Sequence, residues 1–260
     1  MSPARTLTGM SPHVLILGGT TEARHLAAAL ADRPGVRVTT SLAGRVTRPG
    51  ALPGEVRSGG FGGAAGLADW LRAHAVDALV DATHPFAERI TAHAAQAAAT
   101  AGVPAVFLRR PGFTPTTPDA HWTPVPSLAA AAQALAGLAP RRILLTTGRL
   151  GLAAFAALDH HEFVVRAVEP PDPPLPAHTE VLLARGPFTL EDELTLLRHH
   201  AVRLLITKDS GGTATSPKLT AAHRLDVPVM VVQRPPLPEG VTAVEDVRGV
   251  LERLRSIGVL

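Results

Sequence analysis

Short apolar runs alternate with helix-forming segments along most of the chain, and this alternation is the feature that most constrains its fold. Such an alternation is typical of α/β proteins with mostly parallel sheets. In the first half, the predicted strands are Val14–Leu17, Val36–Thr40, Ala78–Val80 and Ala105–Leu108, and the predicted helices are Glu22–Ala31, Ala64–His74 and Pro85–Thr100. Pro85 suits a first helical turn, because its missing N–H costs nothing there.

The alternation resumes after a segment rich in proline and glycine at residues 109–126. The predicted strands of the second half are Ile143–Thr146, Phe163–Ala167, Val181–Ala184, Leu204–Thr207 and Val229–Val232, and the predicted helices are Leu152–Leu158, Leu190–His200, Lys218–Arg224 and Ala243–Arg255. Two pairs of residues, Thr189 with Asp192 and Thr242 with Glu245, have the spacing of a capping box at a helix start.

The two halves of the chain resemble each other. The segment VLILGGTTEARHLAAAL at 14–30 matches ILLTTGRLGLAAFAAL at 143–158, and GVPAVFLRRP at 102–111 matches DVPVMVVQRP at 226–235. We therefore expect two similar α/β lobes at residues 12–112 and 127–260, joined by a proline-rich linker at 113–126. A ligand would lie between the lobes, at the carboxyl ends of both sheets.

Composition excludes several classes of chemistry. The chain has no cysteine, which removes disulfides, iron–sulfur clusters, thiolate zinc sites and a cysteine nucleophile. It has no tyrosine, which removes the Tyr-x-x-x-Lys pair of short-chain dehydrogenases. The 12 histidines show no ligand spacing such as HExxH, so no protein metal site is predicted. Any redox chemistry would need a bound organic cofactor.

Charge and hydropathy argue against nucleic-acid and membrane partners. The formal net charge is only +3, the basic residues are dispersed, and 3% of residues are aromatic, so stacking platforms for bases are scarce. The apolar stretches are shorter than the roughly 18 residues of a membrane span, and no signal-peptide core precedes them. These features favour a cytoplasmic protein.

The first predicted strand is followed by Gly18, Gly19, Thr20, Thr21 and Glu22. Small residues let backbone N–H groups approach a phosphate, and the following helix presents its positive N-terminus. The alternative is a tight strand-to-helix turn without a ligand.

The second strand is followed by Ser41, Gly44 and Arg45, without a carboxylate. An NAD site usually places Asp or Glu in this window, whereas small polar groups and Arg favour NADP. Arg45 as a solvated loop residue is the alternative. A third loop, RSGGFGGAAG at 57–66, contains five glycines, and we assign it to close approach of cofactor or substrate in preference to simple flexibility.

Polar residues also follow the later strands. Asp81, Thr83 and His84 precede Pro85, and His84 is either a ligand-contacting or a structural histidine. In the second half, the strand ends carry Thr146–Arg149, Ala184–Phe188 and Thr207–Gly212. Their cations and glycine amides suit a carboxylate-bearing ligand. The alternative is a structural set of ion pairs with Asp209 and Glu180.

Eight segments in this order resemble the precorrin-6A reductase family, the corrin-ring reductases of cobalamin biosynthesis. The segments are LILGGTTEAR, SLAGR, GGFGG, DATHPFA, GVPAVFLRRP, TTGR, ARGPF and TKDSGG with a following lysine and VPVMVVQRP. The resemblance runs from about His13 to about Pro235. It implies two Rossmann-like lobes and an NADPH-dependent reduction of one double bond of precorrin-6A, or of its cobalt form, to the 6B product.

The resemblance also implies roles for individual residues. Gly18 to Glu22 would hold the pyrophosphate, Ser41 to Arg45 would hold the adenosine ribose and its 2′-phosphate, and Gly59, Gly60, Phe61 and Gly62 would lie near the nicotinamide. Asp81 to Pro85 would border the hydride-transfer site, with Thr83 near the cofactor, Pro85 near the substrate and His84 as the candidate proton donor or nitrogen-polarising group. The tetrapyrrole carboxylates would meet Arg149, Arg185, Lys208, Ser210, Gly211, Gly212 and Lys218.

Two other classes of function stay open at this point. Another tetrapyrrole-pathway enzyme could share the cationic loops without using a nicotinamide cofactor. A non-enzymatic protein that senses NADPH could share the phosphate loop without oxidising the cofactor.

Overall fold

The computed structural model describes residues 11–44, 52–115 and 121–260, which form two compact units. The first unit contains the described residues up to Arg110 together with Pro235–Leu260, and the second contains Pro111–Arg234. Each unit has a six-stranded parallel sheet flanked by helices. This architecture confirms the predicted α/β class and the two similar lobes.

The helices and strands are numbered in chain order. The strands are β1 (His13–Leu17), β2 (Arg37–Leu42), β3 (Glu55–Ser58), β4 (Ala78–Asp81), β5 (Ala105–Leu108), β6 (Trp122–Val125), β7 (Arg142–Thr146), β8 (Glu162–Ala167), β9 (Thr179–Leu183), β10 (Leu204–Lys208), β11 (Val229–Val232) and β12 (Ala243–Val244). The α-helices are α1 (Thr21–Ala31), α2 (Gly63–Ala73), α3 (Glu88–Ala101), α4 (Leu128–Ala136), α5 (Leu190–His199), α6 (Pro217–Arg224) and α7 (Val247–Ser256).

The sheet of the first unit has the strand order β3-β2-β1-β4-β5-β12. This is the 3-2-1-4-5-6 order of doubly wound dinucleotide-binding folds. Successive residues of β1 point to opposite faces of the sheet, so Val14 and Ile16 join one core cluster with α1 and α7. Leu15 and Leu17 join the other cluster, with α2 and α3. Burial on both faces explains why β1 is continuously apolar.

The sheet of the second unit has the order β9-β8-β7-β10-β11-β6, so its first five positions repeat those of the first sheet. The sixth strands are exchanged. β6 follows β5 in sequence but pairs with β11, and β12 follows β11 but pairs with β5. The predicted lobe at 127–260 is therefore wrong at its carboxyl end, because Pro235–Leu260 returns to the first unit, where Val250 and Leu254 are buried in the core.

The predicted linker at 113–126 is also corrected at its carboxyl end. Residues 116–120 lie outside the described residues, but Trp122–Val125 forms β6 and belongs to the second unit. Pro124 is tolerated there because β6 is the edge strand of its sheet, where a missing N–H leaves no ladder bond unmade.

Several helices have bounds that differ from the predicted ones. The helix predicted from Pro85 begins at Glu88, because residues 84–87 form a separate turn in which the Ala87 amide donates to the His84 carbonyl at 2.7 Å. Leu152–Leu158 shortens to a 3-10 turn at Leu152–Phe155. β3 and α4 were not predicted.

Of the two predicted capping boxes, one is confirmed. Thr189 and Asp192 exchange both hydrogen bonds at the start of α5. The Thr242–Glu245 box is wrong, because Ala243 and Val244 extend the sheet as β12. The α7 helix starts later, and Asp246 caps it by accepting from the Gly249 amide at 2.8 Å.

Candidate functional site

The order of the first sheet defines where a ligand would bind in that unit. Chain connections run in opposite directions from β1, through β2 and β3 on one side and through β4 and β5 on the other. The resulting crevice lies at the carboxyl ends of β1 and β4, the usual ligand site of such sheets. The residues that follow these two strands are Gly18–Glu22 and Ala82–Pro85.

The turn after β1 has the geometry of a phosphate loop. The Gly18 amide donates to the Ser41 carbonyl at 2.9 Å, and a Cβ on Gly18 would lie 3.0 Å from Thr40 Cγ2, so only glycine fits without displacement. Gly19 has a φ of +111°, and a Cβ placed there would meet nothing within 4 Å. Open space therefore lies above the turn, in front of the first amides of α1.

Two side chains of this turn, those of Thr20 and Glu22, are engaged in structural contacts. Thr20 is the N-cap of α1, and its hydroxyl accepts from the Ala23 amide at 3.1 Å and donates to the Ala82 carbonyl at 2.7 Å. The Glu22 carboxylate lies 2.5 Å from an Arg110 nitrogen. The backbone amides and the exposed Thr21 side chain are thus the groups that this turn offers to an anion.

The ends of β2 and β3 bring together Ser41 and Arg57, which are register partners on neighbouring parallel strands. Arg57 donates from Nη1 to Ser41 Oγ at 2.8 Å, and it donates to the Gly59 and Gly60 carbonyls, each at 3.1 Å. Its guanidinium carbon lies 3.8 Å from the centroid of the Phe61 ring. Arg57 therefore organises the glycine-rich loop, a role that its position at the start of that loop could have signalled.

The loops after β2 and β3 also contact each other directly. The Gly59 amide donates to the Leu42 carbonyl at 2.9 Å, and a Cβ on Gly44 would lie 3.6 Å from the Gly59 nitrogen. Gly62, with a φ of +80°, precedes α2. Arg45 lies outside the described residues.

The end of β4 carries an ordered set of polar side chains. Asp81 is buried, and its Oδ1 accepts from both the amide and the hydroxyl of Thr83, at 3.0 and 2.7 Å. His84 Nδ1 accepts from the Phe86 amide at 3.2 Å. An imidazole that accepts at Nδ1 carries the proton of its neutral form on Nε2. Thr83 and His84 are thereby held in defined orientations.

These residues border a cavity of about 220 Å³ within the first unit. Its polar lining includes Asp81, Thr83, His84 and Arg109, and Pro85 also lines it. Pro235, Pro236, Leu237 and Pro238 form one wall, and Arg109 fixes this wall by donating to the Pro235 carbonyl at 2.6 Å. The sequence prediction missed Arg109 and the proline wall, because the latter is far from β4 in sequence.

The Gly59–Gly62 loop is not part of this cavity lining. It follows β3, on the β2 side of β1, whereas Thr83 and His84 follow β4 on the other side. The two loops that the resemblance assigned to the nicotinamide therefore follow strands on opposite sides of β1.

In the second unit, the predicted residues of this group lie at or just after the carboxyl ends of β7, β9 and β10. Gly148 has a φ of +77° beside a half-buried Arg149, and Arg185 is exposed. Lys208 is half-buried, and burial lowers its pKa. The Thr147 hydroxyl is buried and has no hydrogen-bond partner among the described residues. Ser210, Gly211 and Gly212 continue from β10, and the φ of Gly211 and Gly212 is positive.

The alternative for these cations was a structural set of ion pairs with Asp209 and Glu180, and the ion pairs found for these two carboxylates are with Arg234 and His200. Asp209 accepts from the Phe113 amide at 2.7 Å and pairs with Arg234 at 3.2 Å. Glu180 pairs with His200 at 3.2 Å. Asp209 thus anchors the chain segments at both ends of the second unit.

Lys218 lies in a buried charge cluster that the sequence did not predict. Arg166 on β8 and Glu193 on α5 form a bidentate pair at 3.0 and 2.9 Å, and both are buried. Lys218 is 3% exposed, and its ammonium lies 5.3 Å from the centroid of the Phe113 ring. Burial, reinforced by the Arg166 charge and opposed by Glu193, lowers the pKa of Lys218 to about 8.

Within the described ranges, no group of three or more His, Asp or Glu side chains could hold a metal ion. No helix in the same ranges is long and apolar enough to cross a membrane.

The fold and the turn after β1 define a two-domain α/β protein whose first sheet has the dinucleotide-binding strand order. A family model described as precorrin-6x reductase CbiJ/CobK matches residues 13–255. A precorrin-6A reductase of Rhodococcus erythropolis is 54% identical over 92% of this chain and 95% of its own length. One from Mycobacterium tuberculosis is 47% identical over 90% of this chain and 93% of its own.

A solved structure described as CobK precorrin-6A reductase superposes with a TM-score of 0.87 at 39% identity, covering 95% of this chain and 97% of that one. The chain belongs to the precorrin-6x reductase CbiJ/CobK family, so it is an oxidoreductase of cobalamin biosynthesis that acts as a precorrin-6A reductase. The family resemblance predicted from the eight segments is confirmed.

Proposed function

We propose that the protein reduces one double bond of the precorrin-6A macrocycle to give precorrin-6B, with NADPH as the reductant. The observation that carries this proposal is the Gly18–Thr20 turn at the carboxyl end of β1, open above Gly19 and followed by the first amides of α1. This geometry fits a pyrophosphate. The bound cofactor would supply the hydride.

The strand order also orients the cofactor. The pyrophosphate lies at β1, and the adenosine ribose lies at the end of β2 in folds of this order, so the adenosine half extends towards β3. The nicotinamide half then extends towards β4 and β5, into the cavity lined by Thr83 and His84. We accordingly reassign Gly59–Gly62 from the nicotinamide to the adenosine half.

The residues of β4 position the reacting groups. Asp81 holds Thr83, and the Phe86 amide holds the His84 ring with its Nε2 as the protonated nitrogen of the neutral form. Protonation of Nδ1 would break the Phe86 bond. His84 is therefore better suited to donate a hydrogen bond that polarises a substrate ring nitrogen than to release a proton.

The second unit contributes positive charge at the ends of its strands. Arg149, Arg185 and Lys208, with the Ser210 side chain and the amides of Gly211 and Gly212, would bind the carboxylates of the tetrapyrrole. Lys218 lies deeper, beneath Phe113, so it would add positive potential rather than a direct contact. We propose the metal-free macrocycle as substrate, since the relatives at 54% and 47% identity are named for precorrin-6A.

Turnover with purified protein tests this function. NADPH and precorrin-6A are mixed, with and without cobalt in the ring, and the nicotinamide absorbance is followed. We expect stoichiometric oxidation of NADPH with the metal-free substrate. Failure to bind NADPH would instead favour a tetrapyrrole enzyme without nicotinamide, and binding without oxidation would favour an NADPH sensor.

A separate experiment tests the assignment of NADPH to the first unit and of the tetrapyrrole carboxylates to the second. Lys208→Ala is expected to weaken tetrapyrrole binding while NADPH binding stays unchanged, because Lys208 belongs to the second unit. Loss of NADPH binding in this variant would contradict the assignment.

A further inference from the structure

Arg57 and Ser41 form a site of hydrogen-bond donors for which the described residues supply too few acceptors. An arginine has five N–H donors, and the contacts to Ser41, Gly59 and Gly60 use three of them. The Ser41 oxygen accepts from Arg57, so its own O–H remains a donor. Among the described residues, no further acceptor serves either group.

The charge of Arg57 is likewise not neutralised within the part of the chain that the structure describes. The ion pairs of β2 and β3 there consist of Arg37 with Glu55, at the opposite end of the same two strands. The guanidinium instead lies over the Phe61 ring and is half-buried. A fixed, partly desolvated cation that no carboxylate of the described residues neutralises is suited to binding an anion.

The location of this pair matches one part of the proposed cofactor. Ser41 lies near the carboxyl end of β2, the strand that pairs with β1, and its carbonyl accepts from the Gly18 amide in the phosphate turn at 2.9 Å. The adenosine ribose of a dinucleotide lies at this strand end. A 2′-phosphate on that ribose would supply the oxygen acceptors and the negative charge that the described residues do not offer to Arg57 and Ser41.

We infer that Arg57, with Ser41, binds the 2′-phosphate of the adenosine half and makes the enzyme select NADPH over NADH. This inference rests on the proposed use of a nicotinamide cofactor in the first unit. Arg57 comes from β3 rather than from the loop directly after β2. The residue that would distinguish NADPH from NADH thus lies outside the stretch of sequence after the second strand, where such a residue is usually expected.

Binding of nucleotide fragments tests the inference without turnover. Isothermal titration would measure the Kd of adenosine 2′,5′-bisphosphate and of 5′-AMP for the wild type and for Arg57→Gln. We expect Arg57→Gln to raise the Kd of the bisphosphate by roughly 10- to 100-fold, the range for loss of a charge-assisted contact. The Kd of 5′-AMP should stay unchanged. Equal weakening of both ligands would reduce Arg57 to a structural anchor of the loop.

Two further variants keep the test decisive. Arg37→Gln removes the same charge from the opposite end of β2, and it should leave both affinities unchanged. Ser41→Ala removes one donor and one of the three contacts that hold the guanidinium, while those to Gly59 and Gly60 remain, and it should weaken binding of the bisphosphate selectively but less than Arg57→Gln does. If Arg57→Gln does not fold by circular dichroism, an unselective Ser41→Ala would overturn the inference.

The failure of this inference is distinguishable from that of the proposed function. If the wild type oxidises NADPH with precorrin-6A but Arg57→Gln keeps the wild-type NADPH:NADH ratio of kcat/KM, the Arg57 assignment is wrong and the function stands. If fragment binding depends on Arg57 but no NADPH is oxidised, the function is wrong and the phosphate site stands.

Discussion

The Thr20 hydroxyl donates to the Ala82 carbonyl at 2.7 Å while it accepts from the Ala23 amide, so a single side chain joins the ends of β1 and β4 to the start of α1. These two strand ends form the crevice of the first sheet. The shape of the phosphate turn therefore depends on a hydroxyl that need not touch the ligand.

Thr20→Val removes both bonds at nearly constant volume. We expect the free energy of unfolding to fall by about 1–3 kcal/mol, from loss of an N-cap and of one further hydrogen bond. The KM for NADPH should rise as well, since the turn loses its anchor. Urea titration and steady-state kinetics measure the two effects, and Thr20→Ser, which keeps the hydroxyl, should retain both values. An equal loss in Thr20→Ser would show that the hydroxyl is not responsible.

Local patterns in the sequence predicted the strand ends of this crevice well. β1 is buried on both faces, and its apolar run ends at Gly18, so the phosphate turn was found from five consecutive residues. β3 was missed because its four residues are mostly exposed at the sheet edge and carry no apolar run. The Arg57–Ser41 pairing was missed with it.

Long-range pairing was the other source of error. β12 has two residues, and its place beside β5 depends on Phe107 and Leu108, which lie in the other half of the sequence. No local periodicity encodes such an exchange of sixth strands. The cavity wall at Pro235–Pro238 and the anchor from Arg109 follow from this exchange, so they could not be predicted from strand-end motifs.

Two variants of His84 distinguish hydrogen-bond donation from Nε2 from the structural contact that Nδ1 makes with the Phe86 amide. In His84→Asn the amide oxygen can still accept from the Phe86 amide, but no donor remains at the position of Nε2. In His84→Gln a donor can reach that position. We expect single-turnover reduction to slow by roughly 10- to 100-fold in His84→Asn and less in His84→Gln, with NADPH affinity unchanged in both. A wild-type rate in His84→Asn would exclude His84 from the reaction.

The buried pair of Arg166 and Glu193 should dominate the stability of the second unit. Glu193→Gln leaves Arg166 and Lys218 buried beside each other without a counterion, so the free energy of unfolding should fall by about 3–5 kcal/mol in urea titration. Glu162→Gln breaks the exposed pair with Arg142 and is the matched control, with an expected loss below about 1 kcal/mol. Similar losses in the two variants would contradict the role of burial.

Lys218 should make stability depend on alkaline pH with a defined sign. Its pKa is about 8 in the folded protein, against 10.5 for a lysine that is fully exposed to water, as in the unfolded chain. Between these two pH values the unfolded chain therefore binds more protons than the folded one. The free energy of unfolding therefore rises with pH across this window, by about 3 kcal/mol in total at 1.36 kcal/mol per pKa unit.

Lys218→Met removes this dependence while keeping an unbranched apolar side chain in the same space. Below pH 8 the variant escapes the cost of burying an ammonium, and its stability advantage over the wild type should shrink as the pH rises towards 10.5. Few other side chains titrate between pH 8 and 10.5, because the chain has no tyrosine or cysteine and its one other lysine is Lys208. Lys208→Met is the control for that second group, whose pKa burial also lowers. A difference between wild type and Lys218→Met that stays constant from pH 7 to about 10 would show that Lys218 does not titrate in this range.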